Sequence, residues 1–568
     1  MIMFCSLCDI SYPLFLKYAI EHFIVPRTLD GIVPFVLLLF GAFVLTGISV
    51  RTFVRLSSQV ELGIGHDLRR AVFVHLQTLP FAYYNKTPVG YMMARTMSDT
   101  NTIGERFAWG IIDTLWSGSF IIFAFVSMFL LAPSLALVVA VILPLIAGAG
   151  LFFQVRILRA NRAARKVNSK MTGAMNEGIT GAKTTKTLVI EDKIYGEFTH
   201  ITSDLKKRMT TTGKLRSIYY PLVYFIGALS TAIILGFTGS GVLASSVIPV
   251  GTLAAFIVYT LDIHNPIQQF TNNMVEFVSV QANIERVFGL LAIEPEIADS
   301  PEIIEKYGGS FDGKRENWED IKGDIEFSDV TFHYPDTDVN IFEHLNLEIP
   351  AGSCTAIVGE TGAGKSTLVN LICRFFEPSG GKILIDGKDI RERSQLWLRS
   401  RLGYVLQNPH LFSGSVRENI RYGRLDASDD EVEAAAKQIS ADALIETLEN
   451  KWDTNAGEGG DRLSVGQKQM ISLARAVLAD PRIFILDEAT SSVDAETEKL
   501  IQDAIDSLLH GRTSFVIAHR LSTIKRADLI LVVDDGKIVE RGTHNELMQM
   551  RGRYHSLYTR QFEDEIKI

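Results

Sequence analysis

Residues 359–366 read Gly-Glu-Thr-Gly-Ala-Gly-Lys-Ser, followed by Thr367. Glycines at 359, 362 and 364 let backbone N–H groups turn inward on phosphate oxygens. Lys365 adds a point charge for the β- and γ-phosphates, and the Ser366 hydroxyl can hold Mg²⁺. Glu360, Thr361, Ala363 and Thr367 complete the cradle. The preceding residues 353–359 read as an apolar strand, and Ser366 opens a helix, which is the setting a phosphate loop requires. Further on, Ile483-Phe484-Ile485-Leu486-Asp487-Glu488 reads as a buried strand ending in two acids. Asp487 suits Mg²⁺, directly or through water, and Glu488 can polarise a water for in-line phosphoryl transfer. The implied chemistry is hydrolysis of a nucleoside triphosphate.

These residues sit in the second half of a chain whose halves differ in kind. Residues 1–290 carry 24 Lys and Arg against 16 Asp and Glu; the remainder carries 32 against 49. An apolar, weakly basic half thus precedes an acidic, soluble one. An acidic half gives no basic face for nucleic acid. Cys5 and Cys8 have the spacing of half a zinc site, but no second ligand pair follows, so they read as structural. Neither they nor Cys354 and Cys373 form a disulfide framework, which fits a chain facing the cytosol.

Apolar runs near 1–25, 31–55, 110–132, 135–158, 218–240 and 247–275 each approach the ~20 residues needed to cross a bilayer. Three links between them are short and almost free of positive charge. The other two, about 56–109 and 159–217, are long, and 156–216 alone holds 14 Lys and Arg. Positive residues concentrate on the cytoplasmic side, which places both long connections and both termini there. The sequence predicts that these connections are helical extensions of the spans, turning back near 81–87 and 191–198. Among ionisable residues in the spans, Lys17, Glu21 and His22 are expected near water or paired. Asp9 and Asp262 are candidates for a translocation path. The first span starts at Met1 without a cytoplasmic lead-in, which points to a trimmed chain or a start lying upstream. The expected organisation is a transmembrane domain at 1–290, a charged linker at 291–321 and a nucleotide-binding domain at 322–568.

The half from about 323 to 565 resembles the nucleotide-binding domain of ABC transporters, and the whole chain resembles an exporter-type half-transporter of the bacterial multidrug and lipid exporter family. The resemblance implies a six-span all-α membrane domain followed by an α/β P-loop domain that uses ATP and Mg²⁺. It implies that Tyr334 stacks on adenine and that Gln407, in Leu406-Gln407-Asn408-Pro409, touches Mg²⁺ and the coupling segments. Residues 463–467, Leu-Ser-Val-Gly-Gln, match the family signature. There Ser464, Gly466 and Gln467 would bind a γ-phosphate held by the opposite subunit, at a helix N-terminus suited to anions. Ser491-Ser492-Val493-Asp494 resembles the D-loop, with Asp494 at the nucleotide. His519 resembles the switch histidine, and Glu458-Gly459-Gly460 a cross-linking loop.

One chain offers one phosphate loop and one signature, so a dimer is needed to complete each site. Val465 replaces the signature's usual glycine while Glu488 is retained. That combination resembles one chain of a heterodimeric exporter, with a homodimer as the other option. The reading is an ATPase that drives amphipathic drugs or lipids out across a membrane, naturally a bacterial inner membrane. Alternatives are a lipid flippase or peptide exporter and, from another class, an ATP-gated channel or regulatory ATPase. The intact Glu488 and His519 favour turnover over gating.

Overall fold

The structure, a computed structural model, describes residues 1–240, 248–309, 311–335, 337–407, 409–487, 495–509, 511–517 and 521–561. The chain divides into two units. One comprises Met1–Gln77 and Pro88–Ile293, the other Thr78–Thr87 and Glu294–Ile568.

The first unit is helical. Its longest elements are Ile32–Thr78, Pro133–Thr180 and Glu191–Ser240, of 47, 48 and 50 residues. At ~1.5 Å per residue each runs roughly 70–75 Å, more than twice a ~30 Å hydrocarbon layer. The two long connections are therefore largely helix, continuous with apolar segments. Among the described residues, three helical segments are long and apolar enough to cross a membrane: Ile32–Thr78, Val89–Leu131 and Glu191–Gly236. The apolar half of Ile32–Thr78 is turned outward: Val33, Leu37, Phe40 and Phe43 are all exposed. An outward apolar surface of this extent suits lipid rather than water.

The two turn-backs come out differently. The first matches its expected place: extended Pro80 precedes a short helix, Phe81–Lys86. The second does not fall at 191–198, which lies inside Glu191–Ser240. The chain breaks at Gly181, makes the short helix Ala182–Leu188 and turns through Val189 in the left-handed region. A side chain at 181 would meet the Glu177 carbonyl oxygen at 2.9 Å. Glu191 and Asp192 then open the next helix, where acids complement the positive end of its dipole.

Among the described residues the second unit has ten strands: β1 (Ile325–Phe332), β2 (Phe342–Ile349), β3 (Cys354–Val358), β4 (Gly380–Ile385), β5 (Lys388–Asp389), β6 (Leu402–Val405), β7 (Ile483–Asp487), β8 (Thr513–Ile517), β9 (Leu529–Asp534) and β10 (Lys537–Gly542). A four-stranded antiparallel sheet is ordered β2-β1-β4-β5. A six-stranded sheet is ordered β10-β9-β3-β8-β7-β6 and is parallel apart from the β9–β10 edge. Its central strands are buried on both faces, which explains their unbroken apolar sequence. Alternate residues sort into two cores. Ala356, Phe484, Leu486 and Val532 pack toward the helices Val465–Ala479 and Ala495–Leu509. Ile357, Ile483, Ile485 and Phe515 pack toward the smaller sheet.

Two segments outside 322–568 join this unit, the first being the short turn-back near 81–87. Residues 78–87 belong to it: Ala82 is buried in its core and Phe81 stacks on Phe375 at 5.2 Å. Residues 294–321, expected as part of a linker, fold onto it as well. The Asp299 carboxylate accepts from Arg374 and from the Gln395 backbone N–H. Trp397 Nε1 donates to the Glu319 carbonyl at 2.8 Å.

A buried amide ties the helices beside the large sheet together. Asn419, fully buried, donates to the Phe412 and Ser415 carbonyls and accepts from the Phe412 N–H and from Arg475. Burial lowers the Arg475 pKa from its ordinary value, and the nearby Tyr422 opposes the fall. Asn419→Ala is expected to cost about 2–3 kcal/mol, because several buried partners lose their bonds together. Urea unfolding of the chain, followed by Trp452 fluorescence, checks this; an unshifted midpoint would show that the amide is dispensable.

Candidate functional site

The phosphate loop leaves the C-terminal end of β3 and enters the helix Lys365–Ile372. Gly362 and Gly364 adopt φ of +87° and +109°, conformations that L side chains rarely reach. At Gly359 the constraint is space: a Cβ would lie 2.2 Å from the Val533 carbonyl oxygen of neighbouring β9. Lys365 Nζ donates to the carbonyls of Gly359 and Glu360 at 2.7 and 2.8 Å, so its ammonium is held inside the loop. Burial lowers the Lys365 pKa, and the Asp487 carboxylate opposes the fall. Asp487 ends β7, which is separated from β3 only by β8. The loop, the lysine and the first acid of the expected Mg²⁺ site therefore share one end of one sheet. Ser366 and Thr361 are exposed, Ala363 and Thr367 buried.

Tyr334 is brought to the same place. Its hydroxyl lies 2.9 Å from Thr367 Oγ1. Phe332 and Phe376 meet its ring edge-to-face at 5.1 and 5.0 Å, which fixes its plane while leaving the residue half-exposed. Gln407 is exposed just beyond β6. Glu488, Asp494 and His519 lie outside the described residues.

The signature residues stand apart. Ser464 is the N-cap of Val465–Ala479: its Oγ accepts from Gln467 N–H, and Gln467 Oε1 accepts from Ser464 N–H. Gly466 is buried, whereas Val465 is 44% exposed. Among the described residues, no hydrogen bond or ion pair joins 464–467 to 359–367.

One element of the site had no local sequence signal. Arg553 bridges Glu360 of the phosphate loop to Asp534 at the end of β9. Arg560 also lies 3.8 Å from Glu360. These partners lie nearly two hundred residues away along the chain.

Of the ionisable residues in the apolar runs, Asp9 accepts from Trp116 Nε1 at 3.1 Å and Glu21 from Thr252 at 3.3 Å. Glu21 and Asp9 are thus both hydrogen-bonded to a neighbouring helix.

Comparison with known proteins agrees with this geometry. Residues 342–491 match the family model described as ABC transporter, and residues 1–265 the one described as ABC transporter transmembrane region. The chain belongs to the ABC transporter family. It is 36% identical over 563 residues to an uncharacterized ABC transporter ATP-binding protein, YfiC of Bacillus subtilis, covering 99% of this chain and 91% of that one. It is also 36% identical to an ATP-dependent lipid A-core flippase of Desulfotalea psychrophila, over 92% of this chain and 89% of the relative. Among solved structures, a bacterial Atm1-family ABC exporter with ATP bound aligns at a TM-score of 0.80 and 26% identity, covering 99% of this chain and 96% of that one. This ABC chain is accordingly a membrane-spanning half-transporter of the exporter type with a cytoplasmic ATP-binding domain. It is an ATPase coupled to transport and uses ATP with Mg²⁺.

Proposed function

We propose that this ABC transporter chain works as one half of a dimer that exports amphipathic lipids or drug-like compounds, each ATP being held between the phosphate loop of one subunit and the signature of the other. The observation that carries this reading is the separation of the two elements within one chain, each already shaped for an anion. Gly362 and Gly364 open the loop, and the signature sits at the helix N-terminus that Ser464 caps, the positive end of its dipole.

In this reading residues 359–367 cradle the phosphates and Tyr334 stacks on the base. Ser366, Asp487 and Gln407 would hold Mg²⁺, which would lower the charge barrier to attack. Glu488 orients the water and His519 contacts the γ-phosphate. Closure of the dimer binds ATP more tightly than the open state does, so ATP shifts the population toward closure. Six membrane crossings, built from the helices between Met1 and Leu291, complete the unit. The lipid A-core flippase relatives support a lipid cargo. Bacterial relatives support an inner-membrane location.

We favour a heterodimer, because Val465 presents a β-branched side chain where the partner's nucleotide would dock. Its exposure means that a glycine there costs the fold only about 1 kcal/mol. Val465→Gly should therefore raise ATP hydrolysis by the chain alone, by about tenfold if one hydrogen-bonded contact is restored. Steady-state ATPase in lipid, with and without the second half-transporter, reads this. No rise in the chain alone would remove Val465 as the weak element. Vesicle assays of ATP-dependent lipid movement test the export reading itself, and hydrolysis without movement of any amphiphile would favour a regulatory ATPase.

A further inference from the structure

The helix Pro133–Thr180 carries a stripe that changes character along its length. Ala140, Pro144, Ala147 and Leu151 line an open apolar cavity of about 530 Å³, with Ile267, Phe270 and Met274 on its facing wall. The same face continues at helical spacing as Gln154, Asn161, Arg162 and Arg165. These line a second cavity of about 230 Å³, together with Arg216 and Tyr219 of Glu191–Ser240 and Asn272 and Glu276 of His264–Leu291. A hydrogen bond from Gln154 to Asn272 marks the junction. Arg165 and Arg216 also line an adjoining groove of about 550 Å³.

The charges in the polar half do not cancel. Glu276 is its one carboxylate, and Arg106 pairs with it from Thr100–Leu131. Arg162, Arg165 and Arg216 have no carboxylate within ion-pair distance among the described residues. Three guanidinium groups thus surround one cavity, next to an apolar chamber of the size that takes a small organic ligand. A guanidinium fork fits phosphate in a bidentate way that a lysine does not.

We infer that this chain binds an amphiphile with an anionic, phosphate-type head group, the head at Arg162, Arg165 and Arg216 and the tail in the chamber around Leu151 and Met274. The inference rests on the export reading and names the class of cargo. A general attraction of basic residues to the cytoplasmic leaflet does not require this placement, since Lys166 and Lys170 on the same helix line neither cavity.

The test uses the full-length chain in neutral phosphatidylcholine nanodiscs without nucleotide. Equilibrium binding is measured for dodecyl phosphate, dodecyltrimethylammonium and inorganic phosphate. Dodecyl phosphate should bind at least about tenfold more tightly than the ammonium of equal tail. Arg165→Gln with Arg216→Gln should remove that preference, and Lys166→Gln with Lys170→Gln should keep it. Ala147→Trp, which fills the chamber, should weaken dodecyl phosphate alone. If the double arginine variant is not recovered folded, Arg165→Lys with Arg216→Lys replaces it, with a partial loss expected. Equal binding of both head groups, equal loss in the arginine and lysine pairs, or undiminished binding by the Arg→Lys pair would overturn the assignment. Inorganic phosphate binding as tightly as dodecyl phosphate would reduce the site to a free-phosphate site and overturn it too. Binding is read without hydrolysis, so a chain that binds the probe but moves no lipid would sink the export reading and leave this site standing.

Discussion

Glu488→Gln should lower ATP turnover by about 10²–10⁴-fold while leaving ATP binding nearly unchanged. In the sequence Glu488 comes next after β7, which ends at Asp487 near the phosphate-loop lysine. Glutamine keeps the size and a hydrogen-bonding oxygen but cannot accept a proton at neutral pH. Lys365, the glycines and Tyr334 are untouched, so nucleotide affinity should hold. Steady-state ATPase and equilibrium binding of ATP, measured on the same preparation, separate the two effects. Turnover unchanged by the substitution would mean that another group orients the water. Affinity and turnover falling together would point to a lost nucleotide contact instead.

Arg374→Ala should destabilise the nucleotide unit by about 3–5 kcal/mol, the usual cost of breaking a buried ion pair from one side. Arg374 is 2% exposed. Its guanidinium reaches Asp299 at 3.0 Å, Glu377 at 2.9 Å and the Arg393 carbonyl at 2.8 Å. Removing it strands two carboxylates, and Asp299 belongs to the segment that leads into the unit. Asp299→Asn in the same background should recover part of the loss by removing one stranded charge. The urea midpoint, followed by fluorescence of Trp318 and Trp397 beside this segment, measures both. A midpoint unmoved by Arg374→Ala would show that residues 294–300 are held by apolar packing alone.

The phosphate loop and the strand ending in Asp487 were legible because each is local, whereas the signature at 463–467 was named only by its resemblance to the family. A glycine's freedom or a run of buried residues fixes nearby backbone without help from afar. The long helical connections were legible for the same reason, since length and charge set them. The turn-back expected near 191–198 lies a few residues earlier, because Glu191 and Asp192 are the acids of a helix start. The actual break needed Gly181 and a left-handed Val189, and neither stands out in a stretch rich in Thr and Lys. Val465 could be named from the sequence, but only its exposure shows that it is no part of the core. Tertiary structure alone decided that residues 294–321 fold with the nucleotide unit, and that Arg553 holds Glu360. It also decided that the basic stripe of Pro133–Thr180 faces Arg216 and a chamber lined from His264–Leu291. In each case the partners lie far apart in the chain. Such pairings form when separate apolar faces are buried together, and short-range spacing carries no record of which faces will meet.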